Sequence, residues 1–199
     1  MDYYDLDDIL REEELVPITM TSEGSELGFL DPTRHRPRDN LQEGETLDVP
    51  LWLAKALTDP SKGFCRVNLP AVYGADVKNA LLAAPGKASF ASSPYYYEVA
   101  LELNKAMDEE ARDPLMQPGP DSLLFKTYSA RYVEILGKCD NWKHQDLSTY
   151  ALTLTASERN LLGVTYHTVK DYGRWRSEES GRIEASHVVS SGRKRKRVD

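Results

Sequence analysis

The stretch Asp48-Val49-Pro50-Leu51-Trp52-Leu53-Ala54-Lys55-Ala56-Leu57 divides the chain into two kinds of sequence. Upstream, short extended runs are broken by Gly, Pro and Asp; downstream, apolar residues recur at spacings of three and four almost to the end. The Asp48 carboxylate is suited to capping a helix, and Pro50 fits a first helical turn, where its missing N–H leaves nothing unsatisfied. Trp52 and Ala56, with Leu53 or Leu57, share helical spacing, so the pattern predicts an apolar stripe with the Trp52 indole facing inward. The fold class expected from this junction is α+β, mainly α. A small β-rich module occupies residues 1–49, a larger helical domain residues 50–176, and a disordered basic tail residues 177–199.

Within the module, the acidic segment Asp2 to Glu14 carries a broken helical face of Leu6, Ile9, Leu10 and Leu15. Glu13 to Thr21 reads as a β-branched strand, which Pro17 confines to a sheet edge because proline cannot donate to a ladder. Leu27-Gly28-Phe29-Leu30 reads as a second strand, Arg34-His35-Arg36 as a loop bracketed by Pro32 and Pro37, and Leu47 with Val49 as a third strand. About 45 residues of this kind bury little surface alone, so the module is expected to lean on a partner.

Past the junction, Gly63 to Leu69 reads as an extended connector and Asp76 to Ala84 as a short helix. Ser93 with Pro94 opens a helix whose wide apolar face holds Tyr96, Tyr97, Val99, Ala100, Leu103 and Met107. Asp121 or Ser122 starts an amphipathic helix with Leu124, Phe125, Tyr128, Tyr132, Ile135 and Leu136 in its stripe, ended by Gly137. Thr155-Ala156-Ser157-Glu158 matches a capping box, and Leu161, Leu162, Thr165, Tyr166, Val169 and Tyr172 trace a last helix to about Arg176. Eleven Tyr against four Phe suit rings buried with the hydroxyl partnered, either at protein–protein interfaces or in a core with a polar periphery.

Charge and motif searches exclude most chemistry. Net charge is −7, but residues 193–199 carry five cations and one acid, a net of +4, which leaves −11 on residues 1–192. Such an acidic body repels phosphate backbones. Cys65 and Cys139 lack disulfide or zinc spacing and read as reduced, buried small hydrophobes. No apolar run approaches a membrane span, and the opening residues lack the pattern of a signal peptide, so a soluble, non-secreted protein with no membrane partner is expected. Pro85-Gly86-Lys87-Ala88-Ser89 has Leu81 where a phosphate loop needs glycine. His35, His144, His167 and His187 share no metal spacing, and Asp5, Asp7 and Asp8 read as a solvated acidic face. No catalytic, cofactor-binding or metal-binding residues, and no cofactor, are therefore expected. The cluster Arg193, Lys194, Arg195, Lys196 and Arg197 fits a nuclear-localisation signal read by an import receptor, and so places the protein in the nucleus; weak DNA contact is the competing reading.

Three segments, Tyr3-Tyr4-Asp5-Leu6-Asp7-Asp8-Ile9-Leu10, Val49-Pro50-Leu51-Trp52-Leu53-Ala54, and Leu69-Pro70 with Tyr73, resemble the Psf-three family of GINS subunits from the eukaryotic replication apparatus. Tyr172 and Trp175 near the end of the last helix are similar too, and the likeness spans about residues 3 to 176. The resemblance implies a β-rich module followed by a helical domain, in a heterotetramer with the three other GINS subunits and paired most closely with the first Psf subunit. It implies further that the tetramer joins the MCM ring and the RecJ-like Cdc protein in the CMG replicative helicase, as a non-catalytic structural subunit that meets DNA only indirectly. From it, Pro50, Leu51 and Trp52 carry over as a structural hinge, and Tyr3 to Leu10 as a motif segment. The alternative is a stand-alone nucleic-acid-binding nuclear factor that uses the basic tail.

Overall fold

Leu15–Met20 (β1) is the middle strand of a three-stranded antiparallel sheet, flanked by Thr46–Pro50 (β2) on one side and Cys65–Val67 (β3) on the other. The computed structural model describes residues 5–31, 39–58, 63–141 and 146–177. The central position of β1 corrects the expectation of an edge strand. Pro17 is tolerated there because its nitrogen faces the end of the shorter ladder: β1 pairs with β3 only as far as Ile18 opposite Val67. One bond beyond, the Asn68 N–H donates to the Pro17 carbonyl at 2.9 Å. Only the reciprocal bond is lost, where β3 has already ended.

Two other strand assignments change. Leu27 to Leu30 is not a strand, since Glu26 turns the chain at φ 59° and the Gly28 N–H donates to the Asp39 carbonyl, curling Gly28–Leu30 into a 3-10 turn. The third strand comes instead from the presumed connector. Cys65 and Val67 alternate inward with Arg66 outward, a three-residue pattern too short to register as a strand on its own. The segment from Pro32 to Pro37, with its expected loop, lies outside the described residues.

A short acidic helix, Leu6–Glu12 (α1), precedes the sheet, and Asp5 caps it by accepting the Asp7 N–H. At the junction β2 passes directly into Leu51–Leu57 (α2), with Pro50 at the N-cap. Asp48 stays in the strand and makes no cap; the Leu51 N–H donates instead to the Glu14 carbonyl at 2.9 Å. With the start so placed, the buried face of α2 is Leu51 and Ala54, and Trp52 turns outward, 46% exposed. The expectation of an inward indole is thus corrected: the buried stripe runs through Leu51 and Ala54 rather than Trp52 and Ala56, and α2 begins two residues later than a cap at Asp48 would set it.

The helical part contains Ala75–Ala83 (α3), Tyr96–Ala106 (α4), Leu123–Asp140 (α5), Ser148–Ala151 (α6) and Ala156–Arg176 (α7). α4 starts at Tyr96 with Tyr95 at the N-cap and no side-chain cap, so Ser93 does not cap it as expected. Ser122 caps α5, accepting the Phe125 N–H at 3.1 Å, and α5 runs on through Gly137 because fully buried Cys139 anchors its last turn against α7. The Thr155–Glu158 capping box is present in both directions, and α7 reaches Arg176 as expected. One apolar core is continuous from Val16, Ile18 and Val49 of the sheet through Leu51 of α2 to Tyr96, Val99 and Leu103 of α4 and Leu124 of α5. A second, smaller cluster of Ile135, Cys139, Leu154 and Leu162 joins α5 to α7.

Candidate interaction surface

A buried polar cluster sets how α5 and α7 lie. The Arg131 guanidinium on α5 donates from Nε and Nη2 to the two Glu158 carboxylate oxygens on α7, at 2.7 and 3.0 Å. Its Nη1 donates to the carbonyls of Pro85 and Ala88, and Phe90 lies under the guanidinium at 4.8 Å. The Tyr97 hydroxyl donates to Glu158 at 2.8 Å, and the Thr155 N–H to the other oxygen at 3.1 Å. Both charged groups are excluded from water. Burial alone would lower the Arg131 pKa, but the Glu158 hydrogen bond and charge outweigh it and hold the pKa above its ordinary value. Burial, then the Glu158 carboxylate, pushes the Tyr97 phenol well up.

Sequence reasoning assigned Glu158 only its capping role and gave Arg131 none. The signal was a cation at the three-four spacing between Tyr128 and Ile135, in the middle of an apolar stripe. The Pro85-Gly86-Lys87-Ala88 stretch compared with a phosphate loop serves the same network: Pro85–Lys87 is a 3-10 turn, and the Pro85 carbonyl, with that of Ala88 just after the turn, receives Arg131.

Arg131 meets Glu158 and, two turns on, Cys139 meets Leu162, so α5 and α7 run side by side in the same sense. The face they share is apolar and open. On α5, Phe125, Tyr132 and Leu136 are exposed at spacings of seven and four. On α7, Ser157, Leu161, Val164 and Thr168 follow one another at helical spacing, with Tyr172 and Trp175 beyond them, 57% and 66% exposed and with ring centroids 5.8 Å apart. At the upper end Phe125 and Tyr128 of α5 line one groove with Ser157 of α7 and Leu101 of α4, which puts the two stripes on the same side of the pair. A second apolar group, Leu6, Ile9 and Leu10 on α1 with Leu15, is also exposed. A soluble domain rarely leaves aromatic stripes of this length uncovered, so the arrangement fits burial against another chain.

The remaining residues singled out from the sequence do not converge. Leu51 is fully buried, Pro50 closes the β2 strand and Trp52 is on the surface. Asp7 accepts the Tyr95 hydroxyl at 3.1 Å, and Asp8 pairs with Arg11 at 2.9 Å, so the acidic cluster is engaged in local structure. Cys65 and Cys139 are buried and free. His167 is exposed, while His35, His144, His187 and the cluster Arg193 to Arg197 lie outside the described residues. Among the described residues no group of His, Cys, Asp or Glu could hold a metal ion, and no helix is long and apolar enough to cross a membrane.

Residues 4–59 match the family described as the PSF3 N-terminal domain. The chain is 28% identical to the probable DNA replication complex GINS protein PSF3 of Dictyostelium discoideum over 92% of its own length, and spans 65% of that protein. It is 27% identical to DNA replication complex GINS protein PSF3 of Homo sapiens, over 99% of this chain and 90% of the relative. Identity reaches 32% with the psf3 protein of Neurospora crassa, over 68% of this chain and 63% of the relative. The matched N-terminal region takes in α1, β1, β2 and the junction into α2, and the longer alignments carry the likeness through the α5–α7 pair: the chain belongs to the PSF3 family of GINS proteins.

Proposed function

We propose that the chain is a structural subunit of the GINS complex in DNA replication, whose work is to be held by, and to hold, sister subunits. The observation that carries this reading is the aromatic and aliphatic face of Phe125, Tyr132, Leu136, Val164, Tyr172 and Trp175, on a helix pair joined by a buried ion pair and left uncovered by the described residues. Obligate interfaces of this kind bury on the order of 2,000 Å² or more. The family named by its relatives, a DNA replication complex, fits a surface of this size and composition.

In this reading the three other GINS subunits complete the tetramer, the first Psf subunit pairs most closely with this chain, and the tetramer joins the MCM ring and the RecJ-like Cdc protein. The chain supplies geometry, and ATP hydrolysis belongs to the ring. Pro50, Leu51 and Trp52 form the joint between the sheet and the helices, while Arg193 to Arg197 bring the protein to the nucleus through an import receptor. Co-expression with the three sister subunits tests the reading: a stoichiometric complex that survives gel filtration is expected. A chain that stays a soluble monomer in their presence refutes it. A fluorescent fusion lacking residues 193–197 is expected to lose its nuclear enrichment when expressed without the sisters; unchanged enrichment removes the role given to the cluster.

A further inference from the structure

At the upper end of the α5–α7 face lies a groove of about 400 Å³ walled by Leu101 of α4, Leu124, Phe125 and Tyr128 of α5, and the Pro118-Gly119 turn. Its walls are mostly apolar; the polar residues that line it are Tyr97, Ser122, Ser157 and, in the first turn of α4, Glu98, the one charged group among them. One carboxylate oxygen of Glu98, Oε2, is buried and has no hydrogen-bond partner among the described residues. The neighbouring polar groups are engaged: the Tyr97 hydroxyl donates to Glu158, and the Ser122 hydroxyl donates to the Gly119 carbonyl while accepting the Phe125 N–H. An unpaired carboxylate oxygen against apolar walls is costly to keep and is stabilised by an incoming cation.

We infer that Glu98 receives an arginine that a sister subunit inserts into this groove beside an apolar side chain. The inference rests on the proposed role of the α5–α7 face and names the chemistry that covers its upper end. Charge complementarity selects a cation, and the surroundings select arginine over lysine. A guanidinium is weakly hydrated, forks onto a carboxylate, and stacks on aromatic faces such as those of Phe125 and Tyr128. The apolar walls supply area, and Glu98 supplies register and discrimination between sister subunits.

The test uses the full chain and its sister subunits, with dissociation constants measured for the wild type, Glu98→Gln, Glu98→Lys, Phe125→Ala and Tyr132→Ala. Glu98→Gln keeps the shape of the side chain, and an unchanged denaturation midpoint confirms that it folds. It is expected to weaken binding about tenfold or more, as loss of a charged hydrogen bond does. Glu98→Lys should weaken it further, and changing one arginine of the sister to glutamate should restore the Lys variant. If both Glu98 variants bind as the wild type does while Phe125→Ala and Tyr132→Ala lose binding, the face stands and the inference about Glu98 falls. If all four bind normally, the reading of the face itself has failed. A homodimer of this chain that dissociates on Glu98→Lys also overturns the inference, since the occupant is then a second copy.

Discussion

Arg131 and Glu158 form a two-point ion pair, 2.7 and 3.0 Å, with both side chains withdrawn from solvent. The pair sits where α5, the N-terminus of α7 and the turn at Pro85 meet, so it fixes the register of the helix pair whose outer face is the proposed interface. A buried pair is often no stronger than a well-packed apolar substitute, but removing one partner leaves an uncompensated charge. Arg131→Met is therefore expected to cost about 3 to 5 kcal/mol. The double variant Arg131→Met, Glu158→Leu should be less destabilised than the sum of the two single changes, since neither charge is then stranded. It should not recover fully, because the carbonyls of Pro85 and Ala88 lose their donor and the capping box is gone. Denaturant titration of the chain on a soluble carrier checks both numbers; strict additivity would show that the pair is not coupled.

Trp52→Ala is expected to change stability by less than about 1 kcal/mol, as exposed positions do, whereas Leu51→Ala should cost about 2 to 5 kcal/mol. Leu51 is fully buried, and the indole next to it is 46% exposed. The same titration separates the two, and the opposite order would place the ring in the core after all.

Alkaline pH should unfold the chain early. Burial raises the phenol pKa of Tyr96 to about 12, and those of Tyr73 and Tyr97 are raised further, burial being the largest cause in each. In the unfolded chain these groups ionise near pH 10. Between that point and the folded pKa the native state holds protons that the unfolded state has released, so stability is full below about pH 10 and falls above it. Each such phenol contributes a slope of about 1.4 kcal/mol per pH unit. Midpoints measured between about pH 8 and pH 11 should drop only in the upper half of that range, and the share of the tyrosinate absorbance that comes from these buried phenols should lag until unfolding. A flat profile would mean that these hydroxyls are accessible to hydroxide.

The helices of the second half were legible because each announces itself locally. Ser122 and Thr155 are caps three residues before a backbone N–H they accept, and α7 carries its whole capping box in four residues. The sheet was less so, since pairing is a long-range event: nothing local shows that Pro17 tolerates a central position because β3 stops at Val67, or that Cys65 to Val67 is a strand at all. Trp52 is misread from spacing alone because Leu51 with Ala54 and Trp52 with Ala56 both fall at helical spacing, and only the seating of Leu51 against the sheet decides which pair faces the core. Arg131 was overlooked because a single cation in a stripe gives no hint of a partner 27 residues on. What the sequence did carry of the candidate surface was its excess, apolar residues on α5 and α7 at more positions than one core can take.

That excess leads to the last prediction. Of the α5 stripe, Leu124 and Ile135 are buried by the chain itself, while Phe125, Tyr132 and Leu136 are exposed. Substituting the second set should therefore leave the fold intact and damage assembly. Phe125→Ala with Tyr132→Ala is expected to alter the stability of the isolated chain by less than about 1 kcal/mol. The same double change should weaken capture by the sister subunits by about 2 kcal/mol or more, as loss of central aromatic anchors does. Trp175→Ala probes the far end of the face, where the indole meets Tyr172 and little of the chain packs beneath it. Competition of each variant against the wild type for a limiting amount of sister complex gives the ratios directly. Lys126→Ala, a change on the same helix at an exposed position outside the stripe, supplies the control. Equal loss from Lys126→Ala and from the aromatic changes would show that the helix, not its apolar face, is what the partner reads.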